Sequence, residues 1–79
     1  MFSVDVLDLN INNAVVDADG LRHYRQFTLY FEELGHMNQY ISRSSRSKRV
    51  RIIGRSYGVF PPPGVLTEEE KVRKKASSF

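Results

Sequence analysis

Cysteine and tryptophan are absent from this chain of 79 residues, and its uninterrupted apolar runs are short. The lack of cysteine excludes a disulfide scaffold and any zinc or iron–sulfur site built on thiolates. The short apolar runs predict no bilayer-spanning segment. The first residues lack a basic region and a long apolar core, so we expect no secretion signal. A hydrophobic content of 41%, with four tyrosines and five phenylalanines, is typical of a folded domain.

Acidic residues are missing from the middle of the chain. No aspartate or glutamate lies between Leu34 and Thr67, and residues 34–67 carry a net charge of +6, whereas residues 1–33 carry −4 and residues 68–79 carry +1. A cation cluster attached to ordered structure predicts a surface that meets an acidic partner. The six cations of this cluster are Arg43, Arg46, Lys48, Arg49, Arg51 and Arg55.

Catalytic patterns are also missing. His23 and His36 are the only histidines; they lie thirteen residues apart and the chain has no cysteine, so we expect neither a metal ligand nor a general base. Asp17 and Asp19 lack the rest of a calcium loop, so they indicate a turn. The chain has no glycine-rich phosphate loop and no paired catalytic carboxylates. We therefore expect no enzymatic activity, no cofactor and no metal site, and a function that is mainly binding.

Apolar alternation with a period of two indicates strands near the start of the chain and at 21–31. Phe2, Val4 and Val6 alternate with polar residues, and the phase then slips, which predicts a bulge near Asp8 or the end of the strand. In the second segment, Phe27, Leu29 and Phe31 share a face. Between these strands, Val15-Val16 and the Asp17–Gly20 turn indicate a short hairpin piece.

The period changes at Glu32, where apolar residues follow one face of a helix. Leu34, Met37, Tyr40 and Ile41 predict a helix over residues 32–44, with Glu32 and Glu33 in its first turn, where they suit the helix dipole. A further strand is expected over Lys48–Ile53, with Val50 and Ile52 inward, Arg49 and Arg51 outward, and Gly54 closing it. The predicted core consists of Phe2, Val4, Phe27, Leu29, Leu34, Met37, Ile41, Val50 and Ile52.

Three consecutive prolines at 61–63 separate this domain from the C-terminal segment. Prolines do not join the interior of a sheet. Thr67 and Glu70 form a capping-box pattern that predicts a short charged helix to about Ala76. We therefore predict a small α+β domain over 1–58, with a mainly antiparallel three-stranded sheet packed by one helix. A proline-rich arm over 59–79 follows, of which residues 65–79 are expected to stand off from the core.

Tyrosines accompany the cations. Tyr24 and Tyr30 fall on the strand face opposite Phe27, Leu29 and Phe31, and exposed tyrosines beside arginines are typical of binding surfaces. Tyr40 has the helical spacing of a core residue. No sequence pattern of an RNA-recognition motif is present. Tyr24 and Tyr30 therefore join the six cations as candidate partner-binding residues.

The order of these segments resembles the small linker domain of phycobilisomes. The similarity covers roughly residues 2–53 and rests on four segments: Phe2-Ser3-Val4-Asp5-Val6, Phe27-Thr28-Leu29-Tyr30-Phe31, Met37-Asn38-Gln39-Tyr40-Ile41-Ser42-Arg43 and Lys48-Arg49-Val50-Arg51-Ile52-Ile53. Ser45-Arg46-Ser47 replaces the Gly-Gly of the family, and its proline before the helix is absent. The resemblance implies a colourless basic linker of photosynthetic antenna rods or cores, seated among acidic, bilin-bearing phycobiliproteins.

Two functions from different classes follow from these observations. The first is a structural linker or assembly subunit that docks its basic face on acidic protein. The alternative is a small nucleic-acid-binding protein such as a ribosomal component, because the SRSSRSKR stretch suits phosphate equally well. We expect no membrane insertion and an intracellular location, and the resemblance implies the cytoplasm or the stromal side of the thylakoid. The identity of the co-purifying molecule, acidic protein or RNA, separates the two.

Overall fold

A computed structural model describes residues 1–76, which form a three-stranded antiparallel sheet, a separate two-stranded hairpin and two α-helices. The first strand of the chain is the central strand of the three-stranded sheet, and the fourth and fifth strands of the chain pair with it on either side. The predicted α+β class with a three-stranded sheet is confirmed. In chain order the elements are β1 (Phe2–Asp8), a short 3₁₀ helix (Ile11–Asn13), β2 (Val15–Val16), β3 (Arg22–His23), β4 (Arg25–Phe31), α1 (Leu34–Ser44), β5 (Val50–Tyr57) and α2 (Glu68–Ala76).

The core lies between the central strand and α1. Val4 and Val6 of β1 and Met37 of α1 have no exposed surface, and Phe31 at the end of β4 is 3% exposed. The predicted core is confirmed for most of its members, but Val6 and Phe31 belong to it as well. Partly buried residues surround this centre: Phe2, Phe27, Leu29, Tyr40, Ile41, Val50 and Ile52.

The prediction that Leu34 belongs to the core is wrong, because its side chain is 42% exposed. The helix begins at Leu34 rather than at Glu32. Its packed face contains Met37, Tyr40 and Ile41, so the contact of the helix with the sheet begins about one turn after Leu34. Glu32 and Glu33 precede the first turn, and Glu33 is an N-cap without a side-chain hydrogen bond. The prediction that these two acids lie in the first turn is therefore also wrong.

The last strand of the sheet is longer than its sequence pattern predicts. It does not close at Gly54 but continues to Tyr57, and a bulge opposite Asp5 and Val6 shifts its pairing with β1 by one residue. Gly54 lies where a side chain would crowd its neighbour, since a Cβ there would be 3.0 Å from Oδ2 of Asp5. Glycine therefore lets the strand pass Asp5. The phase slip in β1 corresponds to the end of that strand at Asp8.

The C-terminal segment folds back onto the domain. The Val59 N–H donates to the Met1 carbonyl oxygen at 3.1 Å, and a turn at Pro62–Val65, with Gly64 at a φ of 83°, reverses the chain. The following helix α2 packs against β4 and bonds to Glu32, the residue that follows this strand. The prediction that this segment stands off from the core is wrong for residues up to Ala76. Residues 77–79, which it also covered, lie outside the described residues.

Candidate partner-binding surface

The six cations lie on one continuous stretch from the last turn of α1 to the middle of β5. Short hydrogen bonds order the connection between these elements: the Ser45 hydroxyl donates to the Ser42 carbonyl oxygen at 2.8 Å, and the Ser47 hydroxyl accepts the Arg49 N–H at 3.1 Å. The helix itself ends in bonds from the Ser45 N–H to the carbonyl oxygens of Ile41 and Arg43. These serine bonds order the backbone that carries the cations.

All six side chains are exposed, and none of them forms an ion pair within residues 1–76. The cations of α2 behave differently, because Lys71 lies 3.2 Å from Glu68 and Arg73 lies 2.7 Å from Glu32. Unpaired cations at neighbouring positions repel one another and raise the local potential. We name the six, Arg43, Arg46, Lys48, Arg49, Arg51 and Arg55, the basic surface.

The basic surface is divided between two faces of the sheet. Arg49 and Arg51 flank Val50, which packs on the core, so both side chains lie on the face away from α1. Beyond the bulge the phase is reversed: Arg55 pairs with the buried Val4 and therefore lies on the face that carries α1. Lys48 and Arg51 also line a shallow pocket beside Ile41. The surface thus wraps around the β5 edge of the sheet rather than covering one flat face.

The two candidate tyrosines lie across the sheet from the arginines of β5. Tyr24 is 46% exposed and immediately precedes β4, whereas Tyr30 is half-buried and pairs with Ser3. Because β1 lies between β4 and β5, neither tyrosine adjoins the strand that carries the arginines. Tyr57 is the tyrosine of β5, and its ring packs edge-on against Phe2 at a centroid distance of 5.9 Å. The structure therefore separates Tyr24 and Tyr30 from the arginines of β5 by the whole of β1.

A cleft of about 590 Å³ lies between α1 and α2, over Leu29 and Phe31 of β4. Side chains bond across it, since His36 Nδ1 of α1 lies 2.9 Å from Glu69 Oε1 of α2, and Arg73 of α2 pairs with Glu32, which follows β4. Arg43 lines the same cleft. The bonds from Glu69 to His36 and from Arg73 to Glu32 hold α2 against the domain. Arg43 is the residue of the basic surface that lines this cleft.

Glu69 is the ionisable group that this arrangement changes most clearly. Its side chain is 11% exposed. Burial alone would raise the pKa of Glu69, but the Glu32 N–H, which donates to its Oε2 at 2.9 Å, and the contact with His36 together hold that pKa below its ordinary value of 4.5. The fold therefore favours the deprotonated, charged form of Glu69. Sequence patterns identified Thr67 and Glu70 as a cap but gave no signal for Glu69, since its partners lie in distant segments.

His23 belongs to the hairpin and not to any cluster of ligands. Its Nε2 lies 2.6 Å from Asp17 Oδ2, and the hydrogen bond holds the pKa of Asp17 below its ordinary value, together with the backbone N–H of Leu21. The second oxygen of Asp17 closes the predicted turn, whose Gly20 has a φ of 80°. No group of three or more potential metal ligands occurs among the described residues.

No protein-family model matches this chain, and no curated protein or solved structure is significantly similar to it. Within residues 1–76, no helix is long and apolar enough to cross a membrane. What the chain binds is therefore inferred from the position and charge of its own side chains.

Proposed function

We propose that this chain is a non-catalytic assembly subunit that docks its basic surface on acidic protein. One observation carries the proposal: six cations on ordered backbone have no acidic partner within residues 1–76. Cations that serve only solubility are usually interspersed with acids, and no acid occurs between Leu34 and Thr67. An acidic partner would relieve the repulsion among these cations, so complex formation is favoured and depends on salt.

The position of the aromatic residues favours a protein partner over single-stranded nucleic acid. Proteins that bind single strands stack the bases on aromatic side chains beside their cations. Here Tyr24 and Tyr30 lie at or next to β4, which β1 separates from β5, and the ring of Tyr57 packs edge-on against Phe2. β5 therefore offers one exposed ring, that of Tyr57 at 59% exposure, rather than a row of rings on which successive bases could stack. Contact with the phosphates of a folded RNA is the second candidate, because such contacts need no stacking.

The phycobilisome linker is the particular assembly role that we propose on the strength of the resemblance. The order β1, β4, α1 and β5 follows the order of the segments on which that resemblance rests. In this proposal the acidic partners are phycobiliproteins, the chain itself is colourless, and its location is the cytoplasm or the stromal side of the thylakoid. The more general proposal, docking on acidic protein, does not depend on this assignment.

The test is to purify the protein with its native partners at low salt and compare two charge reversals. Arg49→Glu lies in the basic surface, whereas Arg22→Glu makes the same charge change on β3, where the side chain is also exposed. We expect Arg49→Glu to weaken the complex by about tenfold, which corresponds to about 1.4 kcal/mol, and Arg22→Glu to leave it nearly unchanged. The partner, identified by mass spectrometry, should be acidic and should stay bound after nuclease treatment.

Two results would overturn the proposal. Dissociation by nuclease would assign the basic surface to nucleic acid. Equal losses in Arg49→Glu and Arg22→Glu would show that net charge, and not this surface, controls binding.

A further inference from the structure

The strand that carries the arginines is an edge of the sheet. β5 pairs with β1 on one side only, and no other strand within the described residues pairs with it. It is eight residues long and contains no proline. The other edge strand, β4, has α2 packed against it. β5 therefore has a free edge, where a further strand would find unpaired backbone groups.

The register shows which backbone groups face this free edge. The Leu9 N–H donates to the Arg49 carbonyl oxygen at 2.8 Å. Because backbone groups in an antiparallel pair point alternately toward and away from the partner strand, the odd residues of β1 point at β5 and the even residues point at β4. Residues of β5 opposite the even residues therefore direct their N–H and C=O outward. By the observed pairing these are Val50, Ile52, Arg55 and Tyr57.

The charges beside this edge select what can pair with it. Cations and bulges on an edge strand commonly prevent two copies of a protein from joining edge to edge, and both are present on β5. The same cations that repel a second β5 attract an acidic strand, because opposite charges on adjacent strands stabilise their pairing. Repulsion of like edges and attraction of unlike ones together provide specificity.

We propose that the β5 edge accepts an extended acidic segment of the partner protein as a fourth strand. This inference rests on the proposed function and specifies how the basic surface would bind. The bulge also specifies the pattern of the incoming strand. Acids facing Arg49 and Arg51 lie on the sheet face away from α1, whereas an acid facing Arg55 lies on the face that carries α1. The partner strand therefore needs its acidic side chains on both faces, with the change of face near Ile53.

The experiment uses the full chain and a synthetic peptide in which glutamate alternates with threonine except at its centre, where two adjacent glutamates move the acids from one face to the other. Backbone amide exchange is followed by nuclear magnetic resonance before and after the peptide is added. We expect the outward N–H groups of Val50, Ile52, Arg55 and Tyr57 to become protected, and a peptide with lysine in place of glutamate to have no effect. Binding of the glutamate peptide without this protection, or no binding at all, would overturn the inference.

A pair of variants separates the contribution of the Arg55 backbone N–H to peptide binding from that of the Arg55 side chain. Arg55→Ala and Arg55→Pro remove the same cation, but only proline also removes the outward N–H. Because this N–H makes no hydrogen bond within the sheet, we expect the fold to accept proline at this position. We expect Arg55→Pro to bind the glutamate peptide at least fivefold more weakly than Arg55→Ala. Equal affinities would overturn strand addition. The amide-exchange result decides the matter if Arg55→Pro does not fold.

The outcomes also separate this inference from the proposed function. If the native acidic partner stays bound through Arg49 while the outward amides remain unprotected, strand addition fails and docking on acidic protein stands. If a short RNA binds the basic surface and the glutamate peptide does not, both fail.

Discussion

The Thr67 hydroxyl donates a hydrogen bond of 2.8 Å to Oε2 of Glu32, and so joins the start of α2 to the residue that follows β4. The same hydroxyl accepts the Glu70 N–H at 3.1 Å, and the Glu70 carboxylate accepts the Thr67 N–H at 3.2 Å, which is the predicted capping box. Arg73 binds the same oxygen of Glu32 at 2.7 Å. Thr67 has no exposed surface. The Thr67 side chain therefore both caps the N-terminus of α2 and attaches this helix to the domain.

Removing this hydroxyl should release α2 from the domain. Thr67→Ala loses the cap, which is worth about 0.5–2 kcal/mol, and a hydrogen bond to a carboxylate, which is worth about 1.5–3 kcal/mol. We expect the amides of α2 to exchange with solvent much faster than in the wild type. Thr67→Ser keeps the hydroxyl and should retain most of the protection. Unchanged exchange in Thr67→Ala would show that other contacts hold the helix.

Acid should weaken the docking of α2. Since the pKa of Glu69 in the folded protein lies below its ordinary value of 4.5, the stability that its charged form contributes is fully present above pH 4.5. That contribution is lost as the pH falls through the lower, folded pKa. We expect the protection of α2 amides to decrease below pH 4.5.

A neutral substitution tests the assignment to Glu69. Glu69→Gln keeps an oxygen that can accept the Glu32 N–H but has no charge to titrate, so its stability should vary less with pH in the acid range. Glu68→Gln is the matched control on the same helix, where the carboxylate pairs with Lys71. If Glu69→Gln and the wild type show the same acid dependence, the dependence belongs to another carboxylate.

Two apolar residues of α1 should differ strongly in their contribution to stability. Met37 has no exposed surface whereas Leu34 is 42% exposed. Met37→Ala should therefore lower the free energy of unfolding by about 2–5 kcal/mol, and Leu34→Ala, outside the packed face, by less than about 1 kcal/mol. Urea denaturation of both variants measures the difference. Similar losses would contradict the packing of α1 described above.

The bulge in β5 predicts a coupling between Gly54 and Asp5. A methyl group at position 54 would lie 3.0 Å from Asp5 Oδ2, while Oδ1 of Asp5 accepts the Thr28 hydroxyl at 2.7 Å. Gly54→Ala should therefore displace this carboxylate and destabilise the protein by about 1–3 kcal/mol. In the background of Asp5→Ala the same change should cost less. A double-mutant cycle with additive losses would show that the two residues do not interact.

Local patterns were sufficient for most of the secondary structure. Alternation around Val4 and around Leu29 identified two strands of the sheet, and the spacing of Met37 and Ile41 identified the packed face of α1. The Asp17–Gly20 turn and the Thr67 cap were also predicted correctly, because each depends on side chains only a few residues apart. The start of α1 and the end of β5 were wrong, since neighbours from other segments decided them.

The sequence also determined the charge of the candidate surface, but not its shape. The acid-free segment from Leu34 to Thr67 fixes six cations near one another along the chain. Whether they share a face depends on the bulge opposite Asp5, which directs Arg55 and Arg51 to different faces. A bulge arises from pairing between two strands, so the alternation of one strand cannot reveal it.

By itself, the sequence determined the class of fold, the core face of each main element and the position of the unpaired cations along the chain. The tertiary structure alone decided that α2 docks on β4 and that β5 has a free edge. Periodicity and capping act over a few residues, whereas the bonds of Thr67 and Glu69 to Glu32 span 35 and 37 positions. Contacts at that separation exist only once the chain has folded.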